Sequence, residues 1–225
     1  MDSIADSTGP GLDAAEFRRR AAAGLLPAPS EAVFDPRSGR ALGPSDWDLN
    51  PELKGDLAFM GPGRPASVLV PIIVRDTLSV LFTQRSQDVP SHPGQISFPG
   101  GKLEACDASL LACALREARE EIGMPADSVE PLGFLDSYRT GTGFLISPVV
   151  ALVRPGFAVV PDPREVSEVF EVPLAFLMDV ANHQKDSREW RGRLRYFYAM
   201  PYQGHFIWGA TAGILKNMHE RLFAR

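Results

Sequence analysis

The chain has 225 residues, 44% of them hydrophobic and 23% charged, an ordinary globular composition. A net charge of −5 and a pI near 5.4 exclude a general nucleic-acid or anionic-membrane binder, while leaving room for a local basic patch. Two cysteines, Cys106 and Cys113, are too few for a disulfide framework and read as reduced thiols of a cytoplasmic protein, and no apolar run reaches the ~18 residues of a membrane-spanning helix.

In chain order, residues 1 to about 12 read as disordered, and the acidic start lacks the apolar segment of a secretory signal. "LDAAEFRRRAAAGLL" predicts a helix with Asp13 as N-cap and Gly24 as its stop. The Pro-, Gly- and Asp-rich run from Pro27 to Pro65 lacks periodicity and reads as an arm wrapped over a core. The expected organisation is an N-terminal arm over residues 1–65 and one domain over 66–225. "SVLVPIIV" and "TLSVLFTQR" predict a hairpin around Arg75-Asp76, and "GQISF" a third short strand. A helix is predicted over 107–122, with Asp107 as N-cap and Gly123 then Pro125 as the stop. "EPLGFLDSYR" and "LISPVVALV" predict further strands. "EVSEVFEVPLAFLMDV" starts extended and turns helical near Pro173. "WRGRLRYFYAM" and "GHFIW" predict a hairpin around Pro201 and Gly204, and "GATAGILKNMHERLF" a closing helix. Strands on both sides of a central helix imply an α/β (α+β) class, a mixed β-sheet sandwiched between helices.

The central helix poses a question, because Glu117, Glu120 and Glu121 fall on one of its faces. Like charges at this spacing each weaken an isolated helix by roughly 0.2–0.5 kcal/mol. The stripe Leu110, Leu111, Ala114, Leu115, Ala118 and Ile122 adjoins them and predicts that they border the core. Three carboxylates on a rigid helix suit a hard divalent cation, which takes oxygen ligands. Gly100 and Gly101 allow close backbone approach and offer a carbonyl ligand, and Arg116 is placed to pair with a glutamate. On spacing alone, "EAREE" reads most often as an exposed charged face. No Walker A lysine motif, HExxH or dinucleotide fingerprint competes with it.

The order of residues adds to this reading. The stretch resembles the Nudix box, G-x5-E-x7-R-E-U-x-E-E-x-G-U, with Gly101, Arg116, Glu117, Glu120, Glu121, Gly123 and Met124 at matching places. It departs from the box in three ways: Asp107 stands at the first acidic position, one extra residue separates it from Arg116, and Ala118 fills the first U. "LFTQRSQDVPSHPGQISFPGGK", Leu81 to Lys102, resembles the segment preceding the box in coenzyme A pyrophosphatases, matching at Thr83, Arg85, Ser86, His92, Gly94, Gln95, Phe98 and Pro99. An arginine common in that segment is Pro90 here. The later stretches "YRTGTGFLISPVV", "EVSEVFEVPL" and "IWGATAGIL" look similar too, so the likeness spans about residues 65 to 223 and leaves the N-terminal arm outside.

The resemblance implies a Nudix fold and metal-dependent hydrolysis of coenzyme A, or its acyl or oxidised forms, to 3′,5′-ADP and a 4′-phosphopantetheine derivative. It implies Mg²⁺ or Mn²⁺ on Glu117, Glu120 and Glu121, with the carbonyl of Gly101 assisting and Arg116 orienting the cluster. The general base is Glu120 first, with Glu165 and Glu168 as loop alternatives. Arg85 and His92 are candidate phosphate contacts, Lys102 a candidate substrate contact, and Tyr138, Arg139 and Phe144 candidate cleft residues. Trp190, Tyr196, Tyr198 and Trp208 read as core or dimer contacts rather than base-stacking platforms, and His183, His205 and His219 lack ligand spacing. The expected partner is the small-molecule substrate, with no nucleic acid and no membrane, and a homodimer is implied by the family. The rivals are a Nudix hydrolase of another nucleoside diphosphate, such as ADP-ribose or NADH, and a non-catalytic nucleotide-binding regulator.

Overall fold

The longest apolar runs of the chain form its central strands. A computed structural model describes residues 12–30, 43–51, 63–190 and 192–224; the predicted disorder of residues 1–11 and much of the predicted wrap lie outside them. Strands β1 (Arg64–Ile73) and β2 (Ser79–Arg85) form the predicted hairpin, with Ile72 opposite Val80. The path β3 (Ile96–Ser97), β2, β1, β7 (Phe144–Val153), β5 (Val129–Phe134) makes a mixed sheet. β4 (Gly100–Lys102) adds to β1, β6 (Tyr138–Arg139) to β7, and β8 (Val166–Pro173) to β2. Within it β1 and β7 run parallel from Arg64↔Phe144 to Ile73↔Val153. That pairing explains why β1 is buried along most of its length, since a central strand covered on both faces reads as a continuous apolar run.

Side-chain alternation sorts the core into two layers. Leu69, Ile73, Val149, Ala151 and Val153 face α2 (Leu110–Ile122), packing with Leu110, Ala114 and Ile122. Val70, Ile72, Val150 and Leu152 face the other way, towards α1 (Ala14–Gly24), α3 (Leu174–Met178) and α4 (Ala210–Leu222), through Phe17, Leu177, Ile214 and Met218. The mixed sheet is therefore sandwiched between helices. A second, antiparallel sheet of β9 (Gln184–Trp190), β10 (Arg193–Tyr202) and β11 (His205–Trp208) leads into α4.

One local expectation changes, and two strands form that were not predicted. The helix starts at Leu110 rather than at residue 107, because Ser109 Oγ accepts the Ala112 N–H at 3.1 Å. Asp107 is instead engaged by Arg116 and by the Glu104 N–H. Strand β9 has no apolar alternation in its sequence and forms through its pairing with β10. β4 is a strand despite two glycines, held by register with Ala66, Ser67 and Val68. Among the described residues, no helix is long and apolar enough to cross a membrane.

A carboxylate latch joins α1 to α4. Asp136 accepts from Arg221 Nε at 2.7 Å and Nη2 at 2.6 Å, and from Asn217 at 2.9 Å. Arg221 Nη1 donates to the Gly24 carbonyl at 2.7 Å. The Arg221 guanidinium holds the Asp136 carboxyl below its ordinary value, so the latch stabilises the fold above that ordinary value and fades as acid protonates it. Asp136→Asn is expected to cost about 1.5–3 kcal/mol at neutral pH. The gap from the parent should narrow in acid, as read by denaturant titration across pH; a gap that does not change with pH would remove the charge from the account.

Candidate active site

The C-terminal half of α2 separates its three glutamates. Glu121 shares the apolar flank with Ala118 and Ile122 and is 4% exposed. Glu117, one turn earlier, is half-buried beside β4, whereas Glu120 turns outward with its side chain 59% exposed. The predicted shared face thus resolves into two inward acids and one outward acid. The helical rotation of about 100° per residue carries Glu120 away from Glu121, and Arg116 Nη1 donates to it there at 2.9 Å. The same guanidinium holds Asp107 at 2.9 Å, Glu117 at 3.0 Å and the Lys102 carbonyl at 3.3 Å. It pulls the Asp107 carboxyl down to about 2. Asp107, at the departing position of the box, serves as a buried anchor for Arg116.

Gly101 sits directly on this cluster. A Cβ there would lie 2.3 Å from Glu117 Oε1 and 2.5 Å from its Cδ. The missing side chain is what lets β4 approach the carboxylate. Cys113 lies beneath, with its thiol 3.3 Å from the Lys102 carbonyl. Burial, with Asp107 and Glu117 nearby, pushes that thiol up to about 12, so it is inert.

A loop closes the other side. Val160 and Asp162 donate their N–H groups to the carbonyls of Ile122 and Glu121, at 3.0 and 2.9 Å. They satisfy carbonyls that the helix end leaves free. Arg164 clasps Asp162, the Glu165 N–H bonds the Asp162 carbonyl at 3.0 Å, and Ser86 donates to the Glu165 carbonyl at 2.8 Å. This tethering brings the charge of Glu165 to bear on both Glu117 and Glu121. Asp162 was not singled out in the sequence; its one signal there was the Pro-Asp-Pro turn. Arg85, at the end of β2, acts on Glu121 with opposite sign, and its Nε donates to the Ser91 carbonyl at 3.2 Å.

The buried acids are electrostatically loaded. Burial, then Glu117 and Glu165, push Glu121 up to about 8 against the opposing pull of Arg85 and the Gly100 N–H. Burial also raises Glu117, against Arg116. Glu121 Oε2 is buried with no hydrogen-bond partner among the described residues. An orphaned, desolvated carboxylate oxygen beside a second acid and a glycine backbone fits a hard divalent cation, which takes oxygen donors. In the side-chain positions described, no three His, Cys, Asp or Glu groups converge as a complete ligand set.

The other sequence candidates are dispersed. His92 is exposed in the loop after β2, with φ 57°, and Lys102 is exposed on β4. Tyr138, Arg139 and Phe144 do not join the carboxylates. Tyr138 is 4% exposed in the α4-side core, and its hydroxyl donates to Asp46 at 2.9 Å. Arg139 is buried over the Trp47 ring at 5.9 Å, and Phe144 lies under Arg64 at 4.1 Å. The physical reason is that β6 turns the Tyr138 side chain to the sheet face opposite α2. Glu168 pairs with His205 at 3.2 Å beside Phe170, also on that face.

Residues 63–194 match the NUDIX domain. NudL of Enterobacter sp. (strain 638), an uncharacterized Nudix hydrolase, is 38% identical over 170 residues, covering 76% of this chain and 87% of that protein. NudL of Klebsiella pneumoniae (strain 342) is 40% identical over 162 residues, covering 72% and 84%. The crystal structure of RenU, a Nudix hydrolase from M. smegmatis, aligns at 19% identity with a TM-score of 0.45, over 70% of this chain and 83% of that one. The box residues, their placement on α2 and these sequence matches agree: the chain belongs to the Nudix hydrolase family.

Proposed function

We propose that the protein is a metal-dependent pyrophosphohydrolase that cleaves coenzyme A, or its acyl or oxidised forms, to 3′,5′-ADP and 4′-phosphopantetheine or its derivative. The observation that carries this reading is the seating of Glu117 against Gly101 and of Glu121 on the Gly100 N–H, with Glu165 acting on both acids and Arg85 on Glu121. The choice of coenzyme A is supported by the segment Leu81 to Lys102, which resembles the coenzyme A pyrophosphatases and whose Arg85 lends positive charge to Glu121.

Glu117 and Glu121, with Glu120 and the carbonyl of Gly101, would hold Mg²⁺ or Mn²⁺. When bound, such an ion neutralises diphosphate oxygens and acidifies a water. Arg116 fixes the rotamers of Glu117 and Glu120. Arg85 and Lys102 supply positive charge for the phosphates, and His92 a ring N–H. A carboxylate oxygen of Glu165 takes the proton of the attacking water, since Glu120 is drawn to Arg116 and to solvent. The reading includes a homodimer, which light scattering measures directly.

Mass analysis of products after incubation with coenzyme A and Mg²⁺ or Mn²⁺ tests the reading; ADP-ribose turned over much faster than coenzyme A overturns it. Glu165→Gln is expected to lower kcat by about 10²–10⁴-fold, the range of a lost general base. An unchanged kcat returns that role to Glu120.

A further inference from the structure

The three-stranded sheet ends in an open strand. Its order is β11, β10, β9, and among the described residues β9 pairs with β10 alone. Asn50 shows which of its backbone groups lie at the edge. The Asn50 side chain takes both backbone groups of Tyr196, accepting its N–H at 2.7 Å and donating to its carbonyl at 2.8 Å. Tyr196 therefore turns its backbone away from β9. Ser187 stands opposite Tyr196, and opposed residues of an antiparallel ladder either bond each other or both turn away. Ser187 thus presents its N–H and C=O at the open edge, and by the two-residue repeat Lys185 and Glu189 do the same. The Ser187 N–H is held by the neighbouring Asp186 carboxylate, at 2.6 Å.

An open edge templates another strand, and charged side chains commonly guard it. The charges on β9 do more than repel. Lys185, Asp186, Arg188 and Glu189 are all exposed, and none has an ion-pair partner among the described residues. About Ser187 their order is palindromic in charge. Two copies of β9 laid antiparallel with Ser187 on Ser187 set Lys185 against Glu189 and Asp186 against Arg188, each pair twice. The same register joins the open backbone groups, because Lys185, Ser187 and Glu189 of one copy meet Glu189, Ser187 and Lys185 of the other. The adjacent registers of the same backbone parity, centred on Asp186 or on Arg188, set that residue against its own copy, and like charges directly opposite are destabilising. Arg188 already faces Arg195 across the sheet, and this pairing gives it a carboxylate on its other side. Leu194 and Tyr196 on β10, opposite Glu189 and Ser187, are 55% and 44% exposed. Tyr196 was read from sequence as a core or dimer contact. Across the pairing, only the two Ser187 side chains stand between Tyr196 of one copy and Tyr196 of the other.

A two-fold interface requires one self-complementary patch. We infer that β9 pairs with β9 of a second copy, antiparallel and centred on Ser187, so that the two three-stranded sheets become one. This gives the homodimer included in the reading above its interface, and its test needs no turnover. Sedimentation equilibrium of the full chain over a concentration series should show a dimer for the parent. Lys185→Glu and Glu189→Lys, both at exposed positions, each set like charges opposite one another and should weaken the dimer about tenfold or more. An equimolar mixture of these two variants should dimerise again, because every Glu then meets a Lys; a merely destabilised fold is not restored by mixing. Ser187→Pro removes the central donor at an edge position, where proline is tolerated, and should leave a folded monomer. A monomeric parent, parent-like dimers of both charge variants, or a mixture that stays monomeric overturns the interface. If a monomeric parent hydrolyses coenzyme A, the substrate reading stands and the interface falls. If coenzyme A is not hydrolysed but the variants and their mixture behave as expected, the substrate reading falls and the interface stands.

Discussion

Glu121→Gln is expected to lower turnover by about 10³-fold, the scale of losing one preorganised polar group at a reacting centre, while the protein stays folded. The two halves of this result have one cause. Glu121 is almost wholly buried, with one carboxylate oxygen unpartnered among the described residues. Burial, then Glu117 and Glu165, push it up to about 8. Its folded value lies above its ordinary one, so the metal-free parent loses stability as pH rises from the ordinary carboxylate value towards about 8. A glutamine keeps the shape and the acceptor for the Gly100 N–H and removes the buried charge. Thermal melts of metal-free protein at about pH 5 and about pH 8.5 bracket that window, and the variant should gain on the parent at the higher pH. Full turnover, or an equal loss of stability at both pH values, would place the function of Glu121 elsewhere.

Adjacent glycines should fail in different ways. Gly101 has an ordinary backbone conformation, and the obstacle to a side chain is the Glu117 carboxylate, 2.3 Å from an added Cβ. A carboxylate at the end of a flexible side chain can move, so Gly101→Ala should displace Glu117. The expected loss of activity is about 10²-fold, with little change in stability. Gly100 has φ +155°, and a Cβ there would lie 2.4 Å from the Ser67 carbonyl oxygen and 2.6 Å from Val68 Cα. Backbone cannot yield so easily, so Gly100→Ala should destabilise the fold by about 1–3 kcal/mol or more. Circular-dichroism melts beside steady-state rates distinguish the two. The account of β4 fails if Gly101→Ala unfolds the protein while its rate per folded molecule is unchanged.

Much of this architecture was legible in local pattern. The β1–β2 hairpin, the helix carrying the glutamates and the closing helix follow from apolar periodicity, with Asp13, Gly123 and Pro173 marking boundaries. What escaped was whatever depends on a distant partner. "QKDSREW" has no strand signal and becomes β9 only because β10 lies beside it. Tyr138 read as a candidate cleft residue with no face assigned, and only the strand parity of β6 turns it to the sheet face opposite α2.

The candidate site divides in the same manner. By itself the sequence determined that three glutamates and Arg116 occupy one helix just after a glycine pair, because residue order and the helical repeat are local properties. Only the tertiary structure decided that Glu121 is buried and that Glu165 is tethered to the α2 C-terminus by Asp162. These outcomes depend on desolvation and on hydrogen bonds between residues far apart in the chain, and no spacing along one helix encodes either.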